Sequence, residues 1–115
     1  MEWINEEWIG LPRDKDKLLS LKNLNLTGMP INELPEDICK LVNLESLMLG
    51  HTNLNKLPFN IGDLSNLKSL DISCEGLYCL PDSIIDLVHL KYLAFYDIAR
   101  LCDSKLTHDY YMNWI

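Results

Sequence analysis

Apolar residues recur along the chain with a fixed period of 23 residues between Leu21 and Tyr96. Each period contains the pattern L-x-x-L-x-L and, further on, a Leu-Pro pair, and no insertion interrupts the series. The Leu-Pro pairs are Leu34-Pro35, Leu57-Pro58 and Leu80-Pro81. A fixed period of this length is typical of a solenoid, in which each repeat buries its apolar side against the next one.

Within each repeat, the L-x-L portion predicts a short strand, because alternation places the leucines toward the core and the residues between them toward solvent. Equivalent strands of stacked repeats then lie side by side in a parallel sheet. The predicted strands are Leu24–Leu26, Leu47–Leu49, Leu70–Ile72 and Leu93–Phe95.

The Leu-Pro pair predicts a turn into a short helical or 3₁₀ segment on the opposite side of the repeat, since proline fits the first turn of a helix. These segments are expected around Glu36–Leu41, Phe59–Leu64 and Asp82–Leu87. In the last of them, Asp82-Ser83 offers side chains that could cap the helix N-terminus.

The segment Leu44–Leu54, followed by Leu57-Pro58 and Ile61, resembles the 23-residue leucine-rich repeats of intracellular bacterial and plant proteins. The resemblance covers about two thirds of the chain. It implies a short α/β solenoid with a parallel β-sheet on its concave face and short helices or 3₁₀ turns on its convex face. It also implies that the concave face binds a protein partner.

A chain of 115 residues forms one domain. Residues 1–20 are predicted to be an N-terminal cap, in which Trp3 and Trp8 share one side of a short helix. The alternative is a half repeat, since Leu11-Pro12 lies 23 residues before Leu34-Pro35. A solenoid needs such a cover because its terminal repeat has no neighbour on one side.

The repeats occupy residues 21–96, and residues 97–115 are predicted to be a C-terminal capping segment. A helix is expected there, because Leu106, Tyr110 and Trp114 recur at four-residue spacing. The alternative is that apolar residues of this tail form a homodimer contact. These residues are Tyr111, Met112, Trp114 and Ile115.

The residues between the strand leucines point outward and form the predicted partner-binding face. Its members are Asn23, Asn25, Ser46, Met48, His51, Ser69, Asp71, Tyr92 and Tyr96. Tyr92 and Tyr96, with Met48 nearby, are the best anchors, because aromatic side chains contribute strongly to interface energies. The alternative is that these positions are only solvated strand residues.

One predicted outward column brings His51, Cys74 and Asp97 together from adjacent repeats. Cysteine beside histidine and an acid suits a nucleophile or part of a zinc site. A catalytic triad, however, places the histidine between the other two groups, and a fourth zinc ligand is missing. The sequence therefore predicts no catalytic residue, no metal ligand and no cofactor, and we do not expect an enzyme.

The resembled family usually has Asn or Cys three residues after the last strand leucine, where the side chain satisfies backbone groups of the bend. In this chain the column contains Met29, Thr52 and Glu75. Threonine can serve the bend, whereas methionine cannot and glutamate is awkward. Looser bends are therefore expected in the first and third repeats.

The net charge of the chain disfavours two classes of partner. The net charge of −7 argues against direct binding of nucleic acid or an anionic membrane, since both require a positive face. The expected partner is a protein. The alternative is an inhibitor of phage or bacterial anti-defence type, whose convex carboxylates imitate nucleic-acid charge and block a nucleic-acid-binding enzyme. Those carboxylates are Glu36, Asp37, Asp63, Asp82 and Asp86.

A cytoplasmic location is predicted from two further features. No apolar run approaches roughly 18 residues, and residues 1–7 are acidic without an apolar core. The cysteines form no C-x-x-C pair and are interpreted as reduced thiols, at Cys39, Cys74, Cys79 and Cys102.

Overall fold

A computed structural model describes residues 14–77 and 79–95 of the chain. Several predictions concern residues outside these ranges: the helix with Trp3 and Trp8, the anchor Tyr96, and the capping helix or homodimer contact of the tail. The described residues contain one α-helix, four strands and three 3₁₀ helices. Their bounds are α1 Lys15–Leu19, β1 Asn23–Asn25, β2 Ser46–Met48, β3 Ser69–Ile72 and β4 Tyr92–Phe95, with 3₁₀ helices at Glu36–Lys40, Ile61–Asp63 and Asp82–Asp86.

The four strands form one parallel sheet in the order β1-β2-β3-β4. Residues that are 23 apart pair across the sheet throughout, as in Leu24 with Leu47 and Leu47 with Leu70. Each strand begins one residue earlier than predicted. The ladder already includes the preceding residue, because the N–H of Ser46 donates to the carbonyl of Lys22 over 3.0 Å.

The core lies between the sheet and the 3₁₀ helices and consists of stacked leucine and isoleucine columns. Leu44, Leu47, Leu67 and Leu70 are fully buried. Each buried leucine contributes roughly 1.5–3 kcal/mol relative to an exposed one. The column continues to Leu93 in β4, where it is only partly buried. The two central repeats therefore carry most of the packing.

Short 3₁₀ helices form the convex side, as the Leu-Pro pairs predict. Pro35 and Pro81 stand directly before the first and third of them with extended backbone. The capping role predicted for Asp82-Ser83 is wrong, since no side chain caps that helix. The Ser83 hydroxyl instead donates to the carbonyl of Phe59 over 2.8 Å and accepts from the N–H of Gly62 over 3.0 Å. Its bonds therefore join two repeats.

Helix α1 precedes the first strand. Asp14 caps its N-terminus, with the side chain accepting from the N–H of Asp16 over 2.8 Å. Leu18 is fully buried, as are Leu41 and Leu64, which follow it at 23-residue spacing. The helix therefore covers the N-terminal end of the leucine core in the described chain.

Candidate functional site

Two rows of outward-pointing side chains cross the concave face of the sheet. The strand pairing places them in register, so each row contains one residue from every strand. The first row is Asn23, Ser46, Ser69 and Tyr92, and the second is Asn25, Met48, Asp71 and Ala94. Adjacent members of a row lie about 4.8 Å apart, because this is the spacing of paired strands. The predicted strand residues therefore form one continuous surface.

Tyr92 is the large exposed aromatic residue of this surface. It begins β4 at the end of the first row, and its side chain is 55% exposed. Met48 lies near the centre of the second row and is half-buried. The predicted second anchor, Tyr96, lies outside the described residues. Tyr92 and Met48 thus supply the apolar part of a face that is otherwise polar.

Asn25 and Asp71 turn back onto their own backbone at the ends of β1 and β3. The side-chain oxygen of Asn25 accepts from the N–H of Thr27 over 3.0 Å, and that of Asp71 accepts from the N–H of Ser73 over 3.0 Å. Such bonds end a strand by giving its backbone a local partner. Both side chains are therefore held in place before any partner arrives.

The side chain of Asp71 lies close to the backbone of Gly50 in the second repeat. A Cβ atom at Gly50 would lie 3.2 Å from a carboxylate oxygen of Asp71. This carboxylate covers the backbone of Gly50, which is buried. The Asp71 carboxylate thus extends toward the end of β2 that lies beside His51.

His51 lies in the bend after β2, at the rim of the concave face. Its φ of 57° is left-handed, as is the φ of 78° at the equivalent Gly28. The N–H of His51 donates to the carbonyl of Ser73 over 3.0 Å, which fixes the bend to the next repeat. The exposed imidazole borders an open groove of about 690 Å³, together with Thr52, Asn53, Asn55, Ser73, Glu75 and Gly76.

The outward position predicted for Cys74 is wrong. Its side chain is 3% exposed and its Sγ donates to the carbonyl of Leu49 over 3.0 Å. Thr52 donates to the same carbonyl over 2.8 Å, and the two side-chain atoms lie 3.2 Å apart. The strand alternation ends at Ile72, where a tight turn begins as the N–H of Cys74 donates to the Ile72 carbonyl over 2.7 Å. His51 and Cys74 therefore do not share a surface.

This contact also corrects the prediction of a loose third bend. The bond to the neighbouring repeat comes from the thiol of Cys74, which donates to the carbonyl of Leu49. Cys74 lies one residue before Glu75, the residue at the expected column position. The first bend is held by its backbone, since Gly28 donates to the carbonyl of Gly50 over 2.9 Å and Met29 to that of Leu26 over 3.1 Å. The first and second bends each have a left-handed residue, at Gly28 and His51, whereas the equivalent Cys74 of the third bend donates its N–H to the nearby Ile72 carbonyl.

At the end of the sheet where the chain enters the strands, two asparagines form a ladder that the sequence did not lead us to predict. The side-chain amide of Asn43 donates to the carbonyl of Leu19 over 2.8 Å, and that of Asn66 donates to Val42 over 2.9 Å. The available signal was two asparagines 23 residues apart. These bonds tie the segments that lead into β2 and β3 to the preceding repeat.

The charged groups near this end of the sheet include one exposed ion pair. Lys68 Nζ lies 3.0 Å from a carboxylate oxygen of Glu45, and this contact lowers the pKa of Glu45. On the convex side, burial of Cys39 raises the pKa of its thiol to about 12, and the Asp63 and Glu36 carboxylates add to the effect. Cys39 therefore stays a neutral thiol at physiological pH and is a poor nucleophile.

The described residues of the two rows offer hydrogen-bonding groups and an aromatic side chain. Within residues 14–77 and 79–95, His, Cys, Asp and Glu side chains form no group of three that could hold a metal ion. In the same part of the chain, no helix has the length and apolar character needed to cross a membrane. The surface is suited to noncovalent recognition.

Comparisons with known proteins agree with this architecture. A family model described as "Leucine-rich repeat region" matches residues 12–107. The chain is similar to the leucine-rich repeat protein LIC12759 of Leptospira interrogans, with 26% identity and a TM-score of 0.59 over 76% of this chain and 28% of that one. It is also similar to the leucine-rich repeat domain of the type III effector XopL, with 26% identity and a TM-score of 0.61 over 73% of this chain and 31% of that one. The chain thus spans less than a third of each structure. No curated protein matches it.

Proposed function

The chain belongs to the leucine-rich repeat family, and from this premise we propose that it is a non-enzymatic module that binds a protein partner through its concave strand face. Domains of this family generally bind proteins and are typically not enzymes. The fold and the family agree with the predictions from sequence. The choice of the concave face is the finer part of the proposal.

The observation that supports this choice is the arrangement of the two rows. They present a polar, partly fixed surface with Tyr92 at one end and Met48 near the centre. Interface cores are enriched in tyrosine and methionine, and a few such residues supply most of the binding energy. A partner that offers hydrogen-bonding groups to the asparagines and serines, and a pocket for Tyr92, would match this surface.

The size of the face sets the expected affinity. Four strands at about 4.8 Å spacing give a described surface on the order of 15 Å wide, and each strand contributes two residues to the two rows. Such an area is at the low end of specific interfaces. We therefore expect modest affinity unless the rim near His51 or residues outside the described ranges add contacts.

The proposal includes a cytoplasmic location and a protein rather than a nucleic-acid partner. Cys39 and Cys74 are buried reduced thiols, which are typical of a reducing compartment. The net charge of −7 disfavours direct binding to nucleic acid. A homodimer contact through residues 97–115 remains a prediction from the sequence.

A second candidate function follows from the convex carboxylates. Glu36, Asp63, Asp82 and Asp86 are exposed on the 3₁₀ helices, whereas Asp37 pairs with Lys40 over 3.0 Å. A face of this kind could enter the basic groove of a nucleic-acid-binding enzyme and inhibit it. Because such a complex depends on many exposed charges, high salt would weaken it steeply.

Affinity capture from a lysate of the native host at low and at high salt tests both functions. We expect the wild type to retain a protein at both salt concentrations, and Tyr92→Ala to retain about ten-fold less, because an interface tyrosine often contributes about 1.4 kcal/mol or more. Val88→Ala is the matched control, since Val88 is 75% exposed on the convex side.

Two other results would count against the concave face. Equal capture by Tyr92→Ala and by the wild type would contradict its role as an anchor. Capture of a nuclease or similar enzyme that is lost at high salt would instead support the inhibitor.

A further inference from the structure

Phe59 exposes an aromatic ring on the convex side, where it serves neither the core nor the concave face. Its side chain is 68% exposed, although it is flanked by well-packed repeats. Phe59 lines a groove of about 330 Å³, and the apolar wall of this groove includes Leu57, Pro58 and Pro81. A large exposed aromatic beside an apolar groove is a common feature of binding surfaces.

Carboxylates flank this ring in both neighbouring repeats. Glu36, Phe59 and Asp82 occupy the same repeat position, 23 residues apart. Glu36 and Phe59 border the same groove. On the other side, Ser83, the residue after Asp82, donates its hydroxyl to the backbone carbonyl of Phe59 over 2.8 Å. Phe59 therefore lies between two repeats that each carry an exposed carboxylate at the equivalent position.

We propose that Phe59, Glu36 and Asp82 form a recognition site for an arginine side chain on a basic segment of a partner protein. A guanidinium group stacks on an aromatic face and donates hydrogen bonds to carboxylates in its own plane, so it matches a ring with an acid on each side. Lysine fits less well, since its compact and strongly hydrated charge neither stacks nor bridges two carboxylates.

The charge around the groove fits the same occupant. Glu33 and Glu36 both border it, against the single cation Lys56 among its lining residues. Asp82 directly follows the lining residue Pro81 and adds a further exposed carboxylate nearby. An apolar groove with an acidic rim complements a basic segment that carries apolar side chains beside its arginine.

Hydrogen bonds between repeats hold the backbone beneath the site. Gly62 and Ser83 hold the second and third 3₁₀ helices together, since the Gly62 N–H donates to the Ser83 hydroxyl over 3.0 Å. The backbone of Phe59 is fixed through that same hydroxyl. Preorganised groups lose little freedom on binding. This surface lies on the opposite side of the repeats from the two concave rows, so the inference does not depend on the proposed function.

Titration of the full chain with the peptide acetyl-Gly-Arg-Gly-amide, followed by NMR shifts of the backbone amides of the residues that line the groove, tests the inference in the wild type and in variants of Phe59 alike. We expect saturable shifts with this peptide, about three-fold or more weaker binding of the lysine analogue, and no binding of the uncharged citrulline or leucine analogues. In Phe59→Leu the preference for arginine over lysine should disappear, because the apolar bulk remains and the π face is lost.

A pair of variants within one 3₁₀ helix separates a specific contact from general charge. Asp82→Asn and Asp86→Asn each remove one exposed carboxylate from the helix Asp82–Asp86. We expect Asp82→Asn to weaken arginine binding about three-fold or more, and Asp86→Asn to change it less than about 1.5-fold. Equal effects of the two variants, equal binding of the citrulline analogue, or an unchanged arginine preference in Phe59→Leu would overturn the inference.

Discussion

At the scale of single residues, the fold tolerates unusual residues in the bend column of Met29, Thr52 and Glu75, because other atoms supply the hydrogen bonds. Thr52 and Cys74 both donate to the carbonyl of Leu49, although they come from different repeats. The buried carbonyl of Leu49 thereby has two side-chain donors. A buried acceptor without a partner would cost roughly 1–3 kcal/mol, so the second donor keeps the Leu49 carbonyl satisfied if the first is lost.

The buried thiol of Cys39 makes stability depend on alkaline pH. Its pKa is about 12 in the folded chain and 9.0 ordinarily, so between these values the unfolded chain releases a proton that the folded chain keeps. The stabilisation is complete below about pH 9 and is lost as the pH rises toward 12. Urea unfolding between about pH 8 and 10.5 should therefore show a steeper loss of stability for the wild type than for Cys39→Ala.

The two proteins are compared by how steeply their free energies of unfolding fall with pH, and not by their absolute stabilities. Cys39→Ala leaves a cavity and is expected to be less stable than the wild type at about pH 8, where the thiol is protonated in both states. Lysine deprotonation affects both proteins equally and cancels in the difference. Parallel pH dependences of the two unfolding free energies would show that Cys39 ionises as easily in the folded as in the unfolded chain.

At the scale of elements, the convex side depends on the close approach of two 3₁₀ helices. A Cβ atom at Gly62 would lie 2.4 Å from the carbonyl oxygen of Ser83, so no side chain fits between these helices. The equivalent position in the first repeat is the buried Cys39, and in the third it is the exposed Ile85. The convex side is therefore less regular than the sheet.

Gly62→Ala is expected to destabilise the protein by roughly 1–3 kcal/mol, because overpacking forces the backbone of one helix to shift. Chemical denaturation with circular dichroism would measure the change. Ser65→Ala is the control, since Ser65 is exposed in the turn that follows the same helix and should change stability by less than about 0.5 kcal/mol. Equal stability of Gly62→Ala and the wild type would mean that the two helices are not in close contact.

The elements also show what the sequence could predict. A constant period fixes the register of the sheet, so the pairing of Ser46 with Ser69 follows from their numbers alone. Alternation predicts the side-chain direction only while the strand lasts, which is why it holds at Asp71 and fails at Cys74. The bonds of Asn43 and Ser83 run between repeats, and their partners depend on the path of the loops, which the period does not specify.

At the scale of the whole molecule, the two sides of the solenoid differ in character. The concave rows are mostly neutral and polar, with Tyr92 at one end. The convex helices carry exposed carboxylates around Phe59. This division allows one small chain to contact a partner on either side, while its leucine core only holds the two surfaces in register. The proposed functions therefore differ in which side of the same scaffold is occupied.

The most direct test of the concave-face claim compares two identical substitutions on different sides of one repeat. Ser69 is half-buried near the centre of the first row, and Ser65 is exposed in the turn after the second 3₁₀ helix. Calorimetric titration of the captured partner with Ser69→Arg should show affinity reduced about ten-fold or more, because a bulky charge then stands within the interface core. The same titration with Ser65→Arg should change affinity less than about two-fold. Unchanged binding by Ser69→Arg, with Ser65→Arg losing it, would contradict a concave interface.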